Sequence, residues 1–142
     1  MAQSNHVTEG DGLGPNNSNP PTSGPHYANE FDAGFYEKTD AASLQDYPEG
    51  DLVHNLEHGY VIFWYNCALL DVQSCTELKT YIQSVIDEFN GVKLIAFPRE
   101  TMVVPVAITS WGQLQQFEVF DQDQGVSFIE HNRNRAPEPN AA

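Results

Sequence analysis

Six consecutive apolar and aromatic residues, from Tyr60 to Tyr65, leave few choices for the middle of this chain. The run is far shorter than the roughly 20 residues of a membrane-spanning helix, and it lacks the polar face of a surface helix. A strand whose two faces are both buried has this kind of sequence, because neither row of alternating side chains meets water. The run therefore predicts a buried central strand.

The segments on either side of this strand indicate the fold class. Ser74 and Glu77 fit a capping box, and the apolar residues that follow recur every three or four positions until Asn90-Gly91, which predicts a helix. This order predicts an α+β domain with a small, mainly antiparallel sheet and helices packed mostly on one face. The other predicted elements are a short helix at 41–46, a turn at 48–51, strands at 93–97 and 103–109, and a helix at 120–132.

Composition sets the limits of the domain. Residues 1–18 are rich in Gly, Asn and Ser without an apolar period, which predicts a flexible N-terminal tail and, with the residues up to about 29, a long irregular segment. With 142 residues, 40% of them hydrophobic, the chain can bury a core but is too short to favour a second domain. We predict a single domain at 19–138 and a short tail at 139–142.

The chain is acidic, with 20 Asp and Glu against 6 Lys and Arg and a formal net charge of -14. This charge repels phosphate backbones, so nucleic acid is not expected as a partner. It would attract cations, although a merely soluble acidic surface explains it equally well. No direct membrane insertion is expected, because neither a spanning segment nor the features of a signal peptide are present, but a leader or anchor that has been removed is an alternative.

Cys67 and Cys75 flank the connection between the apolar strand and the next predicted helix. Their separation favours a small disulfide loop, and a pair of unlinked thiols is the alternative. A disulfide would favour a location outside the cytoplasm.

A pair of histidines precedes the apolar run, in the block His54-Asn55-Leu56-Glu57-His58-Gly59. Histidines four residues apart meet on one side of a helical turn, where they can bind one metal ion. A third histidine, His26, lies in a segment that its prolines and glycines restrain. We predict that the three imidazoles converge on a mononuclear metal site. The alternative is structural, with one ring capping a carbonyl and the other solvated.

Three further side chains are candidates for this site. Met102 could add a thioether ligand, which would shift the preference toward Cu(I), although methionine commonly fills gaps in a core. Glu57 could orient an imidazole, complete a capping bond or act as a fourth ligand. Tyr27 could bring its hydroxyl close to the metal or simply pack. Copper is the predicted ion, with zinc or iron as alternatives, since imidazole suits all three.

Other patterns are less informative. His54, Glu57 and His58 match the H-x-x-E-H pattern of inverted zinc peptidases, but the strand that begins directly after Gly59 leaves no room for the long helix of that motif. His131 near a predicted helix end and His6 in the tail are placed outside the site.

Five blocks of the chain also match a known family: 19–27, 52–61, 108–112, 128–129 and 136–138. With its S-G-P-H-Y and H-N-L-E-H-G motifs, the chain resembles DUF3105, a family of unknown function, over about 19–138. His26, His54 and His58 lie in its signature blocks. Members are mostly bacterial and often carry an N-terminal anchor or export signal, so the resemblance implies an extracytoplasmic protein, periplasmic or at the cell surface.

Three functions are left open by these patterns. The first is an exported metal-binding protein for copper binding, delivery or electron transfer, with a protein partner for the metal or the electron. The second is a metal-dependent enzyme, an oxidoreductase, in which the same histidines leave a coordination position open and Glu57 or Tyr27 lies beside the metal. The third is a metal-free interaction domain whose histidines organise a polar core.

Overall fold

The computed structural model describes residues 17–139 together with the strand at 4–7. Within these residues the chain forms strands and helices in alternation, with two short 3-10 helices at Ala41–Leu44 and Cys67–Leu69. The strands are β1 (Ser4–Val7), β2 (Gly24–Tyr27), β3 (Gly34–Phe35), β4 (Val61–Tyr65), β5 (Leu94–Pro98), β6 (Val106–Ser110) and β7 (Gln113–Phe117). The α-helices are α1 (Pro48–Glu57), α2 (Val72–Glu88) and α3 (Gln122–Asn132).

A mixed sheet in the order β3-β5-β4-β6-β7 forms the centre of the described structure. Its central strand is β4, whose five residues are all buried, as the apolar run predicts. β4 runs parallel to β5 and antiparallel to β6, β3 adds a parallel pair at one edge, and β7 adds an antiparallel pair at the other. The predicted α+β class is confirmed.

The alternating side chains of β4 divide the core into two clusters. Val61, Phe63 and Tyr65 face α2 and α3, whereas Ile62 and Trp64 face α1. Helices therefore cover both faces of the central strand, with α2 and α3 together on one of them. Because helices cover both faces of β4, each of its residues is apolar or aromatic.

The boundaries of several elements differ from the sequence-based prediction. The turn predicted at 48–51 is wrong, because Pro48 begins α1, where a proline loses no helical hydrogen bond. Asp71, rather than Ser74, caps α2 by accepting a 2.7 Å hydrogen bond from the backbone N–H of Ser74. β6 begins three residues later than predicted. The helix predicted at 120–132 begins at Gln122, after its N-terminal cap Asp121. The helix predicted at 41–46 is a short 3-10 helix.

The predicted disulfide is present. Cys67 and Cys75 are bonded, with their Cα atoms 5.3 Å apart, and they tie the 3-10 helix after β4 to the first turn of α2. This bond fixes the connection between the central strand and the helix that covers it.

The ends of the chain are described in part. Within the tail predicted at 1–18, Ser4–Val7 forms a strand that pairs in parallel with β2, and 1–3 and 8–16 lie outside the described residues, as does 140–142 of the tail predicted at 139–142. Among the described helices, none combines the length and the apolar character that crossing a bilayer requires.

A buried hydrogen bond across the sheet provides a test of the core. The indole N–H of Trp64 donates to the hydroxyl of Thr109 at 2.7 Å, and both residues are almost fully buried. Thr109→Val keeps the shape but leaves the N–H without this acceptor, which we expect to lower the free energy of unfolding by about 1–3 kcal/mol in urea denaturation. Thr80→Val, at an exposed position of α2, should change it by less than about 0.5 kcal/mol. Equal stabilities of the two variants would contradict this account.

Candidate metal centre

Helix α1 and the residue that caps its C-terminal end, His58, present three chemically active side chains on one side. Leu52 and Leu56, four residues apart and fully buried, pack into the cluster with Ile62 and Trp64 and so fix the rotation of the helix. His54, Glu57 and His58 are then offset from this apolar stripe and share a separate side of the helix. Their candidate ligand atoms all lie within 4.8 Å of one another.

Strand β2 brings the third histidine to this helix. The approach is close because Gly50 of α1 lacks a side chain: a Cβ atom there would lie 2.3 Å from ring carbons of Tyr27. The ring of Tyr27 packs over this glycine and is 2% exposed. Its neighbour His26 is fully buried, with its ring centroid 5.4 Å from that of His54.

Backbone carbonyls fix the tautomers of His26 and His54. His26 Nδ1 donates to the carbonyl of Gly24 at 2.7 Å, and His54 Nδ1 donates to the carbonyl of Asn29 at 3.1 Å. A carbonyl can only accept, so the hydrogen is on Nδ1 in both neutral rings and the lone pair is on Nε2. Metal-binding histidines typically have this arrangement, because the second nitrogen anchors the ring.

His58 is anchored by a carboxylate. Its Nδ1 lies 2.7 Å from Oε2 of Glu30, at ion-pair distance but without the alignment of a hydrogen bond. Because a carboxylate accepts and does not donate, this contact also favours the hydrogen on Nδ1. In each of the three imidazoles the Nδ1 atom thus faces an oxygen acceptor, which leaves Nε2 as the candidate ligand atom.

The Nε2 atoms converge around the carboxylate of Glu57. His54 Nε2 lies 3.0 Å from His58 Nε2 and 3.8 Å from Glu57 Oε1, and His26 Nε2 lies 3.5 Å from the same oxygen. With metal–ligand bonds of about 2.0–2.2 Å, neighbouring ligands are separated by about 2.8–3.6 Å in octahedral or tetrahedral sites. Two of the observed separations, 3.0 Å and 3.5 Å, fall within this range, and the third, 3.8 Å, lies slightly above it. His26 is not one of the three residues whose ligand atoms lie within 4.8 Å of one another, but it lies beside them, in contact with Glu57 and with the ring of His54.

The contact between His54 and His58 depends on where their hydrogens lie. Their Nε2 atoms are 3.0 Å apart and form a hydrogen bond if one of them carries its hydrogen on Nε2. With both hydrogens on Nδ1, two lone pairs face each other and repel unless a proton or a metal ion lies between them. Glu57 adds a fully buried carboxylate, and a buried charge is costly unless it is compensated. A single proton can bridge only two acceptors, whereas a metal ion can bind three nitrogens and an oxygen together.

Tyr60 is the next residue but one after His58. Burial, and then the charges of Glu30 and Asp32, raise the pKa of Tyr60, so its phenol stays neutral.

The remaining sequence candidates lie elsewhere. Met102 is buried in the apolar cluster with Leu52, Trp64 and Phe97, where methionine commonly fills space. Its role as a ligand stays a prediction. His131 lies at the end of α3, with its Nδ1 2.7 Å from the carbonyl of Ser127, and is not a member of the cluster. His6 lies in β1, where side chains are outside the described structure.

Two acidic residues at this site were missed by sequence reasoning. Glu30 belongs to the irregular segment after β2, and Glu138 follows α3, with Oε1 3.5 Å from His58 Nε2. Neither has a local motif, because each reaches His58 from a distant part of the chain. Glu138 does lie in the block Ala136-Pro137-Glu138, which resembles DUF3105, and this resemblance could have pointed to it in the sequence. Trp111, in another such block, contacts His26 edge to face at 6.2 Å between ring centroids.

Among known proteins, this chain matches a family model. No curated protein matches this chain significantly. No solved structure matches it significantly either. A family model described as a protein of unknown function (DUF3105) matches residues 15–142, which include all the residues of the cluster. The chain therefore belongs to the DUF3105 family.

Proposed function

We propose that this protein binds one metal ion through Nε2 of His26, His54 and His58 and a carboxylate oxygen of Glu57. The observation that carries the proposal is the orientation of the three imidazoles. Each ring has an oxygen acceptor at Nδ1. The opposite nitrogens of His54 and His58 lie 3.0 Å apart, and those of His26 and His54 lie 3.5 Å and 3.8 Å from Oε1 of the buried Glu57. Histidines that bind a metal ion typically share this pattern, because the hydrogen bond at the second nitrogen orients the ring.

We propose Cu²⁺ as the preferred ion, with Zn²⁺ as the alternative. These four side chains offer nitrogen and oxygen and no sulfur, which favours divalent ions over Cu⁺. Among divalent ions of the first transition row, copper binds most tightly to such donors. A resident Zn²⁺ would require that copper be scarce where the protein is loaded, since affinity alone does not favour zinc.

Copper binding, delivery or electron transfer is the role we propose for the site. The supporting observation is that the donors are held by the fold from both α1 and β2, since such a site binds an ion with little rearrangement. The acidic surface, with a net charge of -14, would draw a cation or a basic protein partner toward it. The Cys67–Cys75 disulfide supports an extracytoplasmic location, where such bonds persist.

A metal-dependent oxidoreductase is the second candidate. It is favoured by the side of the cluster at His58, which is 9% exposed, because the neighbouring Glu138 carboxylate is itself half exposed. An ion at this edge can be reached by small molecules, and catalysis needs an open or exchangeable coordination position. Turnover would then depend on ligand exchange at this edge.

Metal titration tests the proposal directly. We expect protein produced without a purification tag to bind one equivalent of Cu²⁺ or Zn²⁺ in competition with a chelator, which discounts loose binding to acidic side chains. Binding to the folded state alone should stabilise it by about 2.7 kcal/mol at a free ion concentration one hundred times Kd. The melting temperature should rise accordingly. Failure to bind either ion at unit stoichiometry would refute the metal site and leave the metal-free interaction domain.

A further inference from the structure

The chain after α3 returns to the metal centre and lies along the end of α1. The backbone N–H of Asn134 donates to the carbonyl of Gly59 at 2.9 Å, and the N–H of Glu138 donates to the carbonyl of Glu57 at 2.9 Å. Gly59 has a positive φ of 91°, and a Cβ atom there would lie 2.6 Å from Cα of Asn134. A glycine is therefore needed for this close approach. We call the segment 133–139 the C-terminal strap.

Lys93 forms hydrogen bonds near both ends of the strap. Its Nζ donates to the carbonyl of His58 at 2.9 Å, to Oδ1 of Asn134 at 2.9 Å and to the carbonyl of Pro139 at 2.8 Å. The ammonium group thus joins the last turn of α1 to residues on either side of Glu138. The backbone of Glu138 is held in place even though its side chain reaches into solvent.

The carboxylate of Glu138 extends from the strap to the open edge of the metal centre. Its Oε1 lies 3.5 Å from His58 Nε2, the same separation as between His26 Nε2 and Glu57 Oε1. The two carboxylates differ in exposure: the side chain of Glu57 is fully buried, whereas that of Glu138 is 51% exposed. Glu57 is confined by the protein, and Glu138 can turn into water without leaving a buried charge behind.

We infer that Glu138 is a displaceable carboxylate ligand, which occupies the solvent-side coordination position of the metal until an external anion replaces it. This inference rests on the proposed metal site. The fixed donors are the three imidazoles and Glu57, and the strap holds Glu138 close enough to rebind after each displacement. Small anionic ligands would therefore compete with a tethered carboxylate for one position.

The experiment compares azide binding to the Cu²⁺-loaded parent protein and to Glu138→Gln. We expect both to bind one Cu²⁺, because the fixed donors are unchanged. Azide, followed by visible absorption and by the paramagnetic spectrum of the copper, should bind at least tenfold more tightly to the variant, since no carboxylate competes with it. Before azide is added, the paramagnetic spectrum of the variant should already differ from that of the parent.

Glu88→Gln is the matched control for the lost charge. Glu88 is exposed at the end of α2, so this variant removes the same negative charge away from the strap. We expect its azide affinity to stay within about twofold of the parent. Copper-loaded Glu138→Gln with the spectrum and azide affinity of the parent would overturn the role of Glu138 while leaving the metal site intact. A parent protein that binds no Cu²⁺ would overturn both.

Discussion

Replacing His54 or His58 with alanine should weaken Cu²⁺ binding at least about a hundredfold, or roughly 2.7 kcal/mol. The two Nε2 atoms lie 3.0 Å apart, one from the last turn of α1 and one from its C-cap, so the fold already holds both proposed donors in place. Removing one ring costs a metal–nitrogen bond and also the advantage of holding two donors in place. Competition with a chelator of known affinity measures the loss.

His131→Ala is the control for this comparison. His131 is exposed at the end of α3 and lies outside the cluster, so its loss removes an imidazole without touching the proposed ligands. We expect unchanged affinity and stoichiometry. If His54→Ala and His58→Ala bound copper as tightly as His131→Ala, the ion would be bound elsewhere and the ligand assignment would be wrong.

Gly50→Val should lower the free energy of unfolding by at least about 3 kcal/mol. A Cβ atom at this position would already lie 2.3 Å from two ring carbons of Tyr27, and this ring is 2% exposed, so it can move away only by disturbing the packing around it. The helix propensities of glycine and valine differ by only a few tenths of a kcal/mol, so the loss reports the contact. Since the contact sets how close β2 lies to α1, the folded variant should also bind Cu²⁺ more weakly.

Ser84→Val provides the matched control, because it places the same side chain at an exposed position of α2. We expect its stability to lie within about 0.5 kcal/mol of the parent and its copper affinity to be unchanged. Urea denaturation and metal titration of both variants make the comparison. A Gly50→Val protein as stable as Ser84→Val would mean that α1 and β2 can separate at little cost.

The elements with strong apolar patterns were predictable from sequence. β4 and α2 each bury a complete row of side chains, and that burial produces the uniform run and the three- and four-residue spacing. β7 was missed because this edge strand is mostly exposed and its sequence, Gln113 to Phe117, is largely polar. The start of α1 was predicted as a turn because Pro48, Gly50 and Asp51 are typical turn residues. Gly50 allows the ring of Tyr27 to pack closely against α1. Local patterns do not indicate this contact, because the two residues are far apart in the sequence.

The candidate site was predictable to the extent that it is local. His54, Glu57 and His58 are one helical turn apart, so their spacing alone indicated a shared side of α1. His26 could be named but not positioned, because its approach depends on the packing of β2 against the helix. The carboxylates of Glu30 and Glu138 arrive from irregular segments, and only the folded chain brings them to His58.

The candidate ligands and the C-terminal strap lie far apart in the sequence. The ligands come from residue 26 and from 54 to 58, whereas the strap beside His58 is formed by 133–139. A nascent polypeptide would therefore expose a partial set of donors, with low affinity for an ion, until 133–139 has been synthesised and lies against the end of α1. Tight ion binding would follow the docking of this segment rather than precede it.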